Sequence, residues 1–150
     1  MTPDTHSSVK EMILASKRAA ALHIANIKNA AAIRYDLVRQ EGREYIKARF
    51  HLTEEDCVTD NFSQLAQISL AKSMKISREL VEEFDLARSC DGVSSHTAKM
   101  VLLFMALQKD LGIQFRPLET AEAETLDDIA LLVWRELKAQ SEKQQLNNNL

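Results

Sequence analysis

Three glycines and two prolines are all that this 150-residue chain holds of the residues that break helices or turn sharply. Runs of β-branched residues are scarce too, so strands lack their usual material and an all-α fold is expected. Cysteine is sparse: Cys57 and Cys90 stand alone, without CxxC spacing, and read as reduced thiols of a cytoplasmic protein. No apolar run reaches the roughly 18 residues of a membrane span, and Met1 to Ser8 carries no signal-peptide core, so no membrane is expected. The four histidines, His6, His23, His51 and His96, are scattered and form neither HExxH nor a Cys/His zinc spacing. A Gly-rich phosphate loop and a nucleophile elbow are likewise missing. These gaps speak against an enzyme and against a metal site.

What the chain does have is apolar residues at helical spacing, 45% of its length, enough for one core. The central stretch runs from Ser94 to Ile113. Val101, Leu103, Phe104, Leu107 and Leu111 recur there at steps of three and four, and Met100, Leu102 and Met105 widen the same face. Ser94 or Ser95 can cap its first turn, and Gly112 can end it. So apolar a helix must be covered by others.

In chain order, residues 1–57 read as a long N-terminal helix with a connector. The pattern opens at Ser7 or Ser8 and extends to about Phe50, with Ile13, Ala20, Ile24, Ile27 and Ala31 close to one face. Gly42 is a candidate bend, and a helical hairpin or brace is the alternative to one uninterrupted rod. A rod of that length would expose Ile13, Leu14, Leu22, Ile24 and Ile27 in a strip that a second copy could cover, which points to a homodimer. Thr53-Glu54-Glu55-Asp56 carries a helix-start signal. Residues 58–140 then read as a bundle, with helices expected from Phe62 to about Met74, from Ser77 to near Ala87, over the central stretch, and from Leu126 to about Lys138. In the last of these Ile129, Leu132, Val133 and Leu137 face inward and Trp134 sits at the rim. Residues 141–150, rich in Gln and Asn, read as a disordered polar tail.

Charge divides along the same line. Met1 to Cys57 has nine Lys/Arg against eight Asp/Glu, a balance of +1, whereas Val58 to Gln140 has nine against thirteen, a balance of −4. An acidic second part argues against binding nucleic-acid phosphates and favours a protein partner with a basic surface. One competing pattern exists. Leu70 to Val81 has the apolar spacing of a helix-turn-helix, so a DNA-binding regulator using residues 70–84 is an alternative, although Lys75 takes the usual glycine position and Glu82-Glu83 follows.

Met105-Ala106-Leu107-Gln108-Lys109-Asp110-Leu111-Gly112-Ile113-Gln114-Phe115, followed by Pro117 to Ala121 and Thr125 to Ile129, resembles the acyl and peptidyl carrier protein family over about residues 60–140. The resemblance implies a four-helix bundle behind the N-terminal helix. In that family an Asp-Ser-Leu serine opening the central helix carries a phosphopantetheine arm. Here the gapless match is His96-Thr97-Ala98, making Thr97 the aligned position and Ser95 the nearest serine acceptor. Without Asp-Ser-Leu, the expected function is a non-catalytic, carrier-like docking or scaffold module lacking the arm. A genuine carrier modified at Ser95 is the alternative.

Overall fold

The alanine-rich run expected in the middle of one long helix is where the chain turns back. In a computed structural model, which describes residues 5–84 and 95–149, α1 spans Thr5–Lys28 and α2 spans Tyr35–Phe50. The two are antiparallel: Ser16 pairs with His51 (2.8 Å), and His23 and Asn26 both reach Glu41 (2.6 and 3.2 Å). Residues 1–57 therefore hold a hairpin, not a single rod. The energies explain why. Helix propensity for alanine over an average residue is worth a few tenths of a kcal/mol, whereas fully burying one isoleucine is worth about 1.5–3 kcal/mol. Folding back buries Ala20, Ile24 and Ile27 of α1 together with Val38, Tyr45, Ile46 and Phe50 of α2. Gly42 lies inside α2 and bends nothing.

The rest of the chain supplies α3 (Phe62–Phe84), α4 (His96–Leu111), a short α5 (Pro117–Glu122) and α6 (Leu126–Asn148). The fold is all-α, as expected from the scarcity of Gly, Pro and β-branched runs. Helix α3 passes straight through Lys75 to Phe84, so residues 70–84 contain no turn and do not form a helix-turn-helix. The Asn61 carboxamide oxygen accepts from the Gln64 amide (2.9 Å) at its start. Before it, Thr53 and Asp56 exchange the reciprocal bonds of a capping box, yet only one turn follows and no helix. Helix α6 continues through residues 141–148, where a disordered tail was expected. Gln, Glu, Lys and Leu are good helix formers, and nothing in Ser141–Asn148 interrupts the backbone ladder begun upstream. The expected loop from Arg88 to Val93, with Cys90 and Ser94, lies outside the described residues.

Helices α3 and α6 start side by side. The Phe62 amide donates to the Glu124 carbonyl (2.8 Å) and the Leu126 amide to the Asp60 carbonyl (3.1 Å), an isolated antiparallel bridge between Asn61 and Thr125. Thr125 and Asp128 form a full capping box on α6. Hairpin and bundle share one core, in which a row of rings runs Phe50, Phe62, Phe104, Phe115 at centroid spacings of 5.8, 5.6 and 5.5 Å. Polar links also fasten the hairpin to the bundle: Arg39 to Asp127 (2.8 Å), Arg43 to Asp60 (2.6 Å), and the buried Tyr45 through its hydroxyl to Asp110 (2.8 Å). Ile24 and Ile27, expected on a strip for a second copy to cover, are already covered within one chain. No helix of the described residues is long and apolar enough to cross a membrane.

Candidate functional site

Helix α4 carries both residues the sequence marks for an arm. Ser95 is its N-cap, extended in backbone (φ −134°), and its hydroxyl oxygen accepts from the Ala98 amide (3.2 Å). Thr97, two residues along, is exposed, and so is Ser95. Gly112 closes the helix in the left-handed conformation (φ 66°), a geometry that glycine adopts at little cost. The start of the helix is thus a capped, solvent-facing end.

Beyond it, the apolar residues of α4 divide into two sets. Leu103, Phe104, Leu107 and Leu111 enter the core, and Met100 packs on its edge. Val101, Leu102 and Met105 do not; they are 52%, 48% and 56% exposed. Spaced by three and four residues, they form one outward patch. The sequence assigned all eight to one buried face, and the structure corrects that for these three. A helix packed on one side can bury only a limited arc, and α4 has more apolar residues than its arc accommodates.

A second arrangement lies on the inner side of α4, where Lys99 faces α3. Its ammonium donates to the Ser69 hydroxyl (2.9 Å) and the Ser73 hydroxyl (3.1 Å) and stands 5.7 Å from the centre of the Phe50 ring. Ser69 is fully buried and donates its own hydrogen to the Phe50 carbonyl (2.8 Å). Beside this pair sits His51, the C-cap of α2, held at φ 56° although it is not glycine. Its ring is bonded to Ser16, and its carbonyl accepts from Lys72, which also pairs with Asp56. Burial, then the charges of Lys99, Lys72 and Arg49, hold the His51 imidazole below its ordinary pKa. Burial alone lowers that of Lys99. Asp56 is held low, chiefly by Lys72 and then by the Thr53 amide.

No protein-family model, curated protein or solved structure matches this chain. What the site can do therefore rests on its own chemistry. Among the described residues no group of three His, Cys, Asp or Glu could hold a metal ion. Cys57 is half-buried, and that burial pushes its thiol pKa up, away from a reactive thiolate.

Ser95 and Thr97 share one helix end, but the Lys99 cluster is thirty residues away from Ser69 in sequence and was not foreseen. A lysine on an amphipathic helix ordinarily reads as a solvated charge. Only the crossing of α3 and α4 brings it against two serines spaced by four, and that serine spacing is the sole hint the sequence offered.

Proposed function

We propose that this chain is a non-catalytic docking module of acyl-carrier-like build that offers the outer face of α4 to a protein partner and carries no phosphopantetheine arm. The observation behind this reading is the outward patch of Val101, Leu102 and Met105, apolar surface on a helix whose other apolar side is already in the core. The order of long, long, short and long helices from α3 to α6 is compatible with the carrier resemblance. Substitution of His96-Thr97-Ala98 for Asp-Ser-Leu, and use of the Ser95 oxygen as a cap, support a helix start that serves structure. The balance of −4 over residues 58–140 favours a partner with a basic surface, and a patch of this size suits a transient contact. In the same reading a homodimer forms through the outer side of α1, where Met12, Ile13, Leu14 and Leu22 are exposed.

A photo-crosslinking residue at position 102, introduced in the source cells, tests the docking face. A discrete adduct is expected that disappears in Val101→Glu/Met105→Glu and weakens with added salt. A pattern no different from that of a crosslinker at Lys143, an exposed position far along α6, would refute it. Intact mass after incubation with coenzyme A and a broad-specificity carrier-modifying transferase tests the arm. No gain is expected, and a gain of roughly a third of a kilodalton lost in Ser95→Ala would establish the genuine carrier instead. Sedimentation at micromolar concentration decides the dimer: a mass near 17.0 kDa excludes it.

A further inference from the structure

We propose that Lys99 and Ser73, beside His51 where α2, α3 and α4 meet, bind a phosphate group. Lys99 bonds across to α3, whereas Val101, Leu102 and Met105 of the proposed docking face are exposed.

Lys99 is half-buried, and among the described residues no carboxylate stands within ion-pair distance of it. Withdrawing an ammonium from water without a counter-ion is costly, and two neutral hydroxyls and a ring face offset only part of that cost. The nearby carboxylate, Asp56, is already committed, since it pairs with Lys72 and accepts from both the amide and the hydroxyl of Thr53. Among the described residues, the junction of α2, α3 and α4 is therefore short of negative charge.

It is also rigid. Ser69 is fully buried and fixed by its bond to the Phe50 carbonyl, so its oxygen presents a defined acceptor to Lys99. The ammonium is placed before any ligand arrives, and no side-chain ordering remains to oppose binding. Donors are left over. An ammonium has three hydrogens, and Ser69 and Ser73 take two of them. Ser73 receives the Lys99 bond and has no protein acceptor for its own hydrogen among the described contacts. One N–H and one O–H, about 3.1 Å apart at their heavy atoms, suit two oxygens of one tetrahedral anion. Arg49 and any protonated His51 add long-range attraction that grows with ligand charge, while Asp56 offsets Lys72, so a dianionic phosphate is favoured over a carboxylate.

The readout is His51. Lys99 of α4, Lys72 of α3 and Arg49 of α2 are the cations around its ring, Ser16 of α1 bonds to that ring, and Asp56 of the connector pairs with Lys72. A phosphate bound at Lys99 offsets the cations and should raise the His51 midpoint. Inorganic phosphate is titrated into the full chain at constant ionic strength, with the imidazole signals of His51 and of the distant His23 followed by NMR. A saturable upward movement at His51 alone is expected. Ser73→Ala, which removes a partly exposed hydroxyl and leaves the core intact, should weaken phosphate binding about two- to ten-fold. Lys99→Met, which keeps the stem, should weaken it about ten-fold or more. A His51 midpoint that ignores phosphate, moves together with His23, or moves equally in Ser73→Ala would overturn the proposal and leave Lys99 as a clamp between α3 and α4.

Discussion

Gly42→Ala should stabilise this protein. Gly42 sits within α2, half-buried, at the lip of a void of about 10 Å³ bounded by Ile24, Val38, Ile46, Leu107 and Ile129. A methyl group added at its Cα meets nothing within 4 Å. One effect then sets the sign. Replacing Gly by Ala inside a helix is worth about 1 kcal/mol, mostly through the unfolded chain's lost freedom. The methyl itself touches nothing and so adds no packing term. A gain of about 1 kcal/mol raises Tm by roughly 2–4 °C for a chain of this length. Urea unfolding followed by circular dichroism, alongside calorimetry, gives both figures. An unchanged or lowered midpoint would mean that α2 is not helical at residue 42 or that the void is filled in solution.

Three further outcomes follow from particular contacts. Leu107 is 2% exposed at the centre of the shared core, so Leu107→Ala should cost about 2–5 kcal/mol in chemical denaturation; a loss below 1 kcal/mol would contradict its packing. Tyr45→Phe removes the hydroxyl that Asp110 accepts from, and should cost about 1–3 kcal/mol of unfolding free energy, with an unchanged midpoint meaning that water replaces it fully. Asp128 accepts from the amides of Glu124 and Thr125, which hold its pKa below the ordinary 3.8. A lowered carboxylate contributes stability above its unfolded value and loses it as pH falls through its folded one. Melting temperature should therefore drop as the pH is taken from about 5 to about 2, and Asp128→Asn should flatten that slope; identical slopes would remove the capping box from the account.

Local chemistry decided much of the secondary structure without help from the fold. Ser95 and Gly112 bound α4, Asn61 caps α3, and Ile129, Leu132, Val133 and Leu137 line the inner face of α6, because caps and apolar spacing act within one or two turns of chain. The proposed carrier-like reading rests on that same local level. Tertiary structure decided where helices stop and which apolar residues stay outside. Asn29 to Arg34 carries no breaker, yet the chain reverses there because two apolar faces gain more from each other than three alanines gain from remaining helical. Lys75 looked like a turn, but α3 continues through it. Val101, Leu102 and Met105 matched the core pattern of α4 and still face water, since pattern counts apolar residues while packing limits how many one side of a helix can bury. The meeting of Lys99 with Ser69 and Ser73 belongs wholly to that second level, for no local rule joins residues that only the crossing of two helices brings to 2.9 and 3.1 Å.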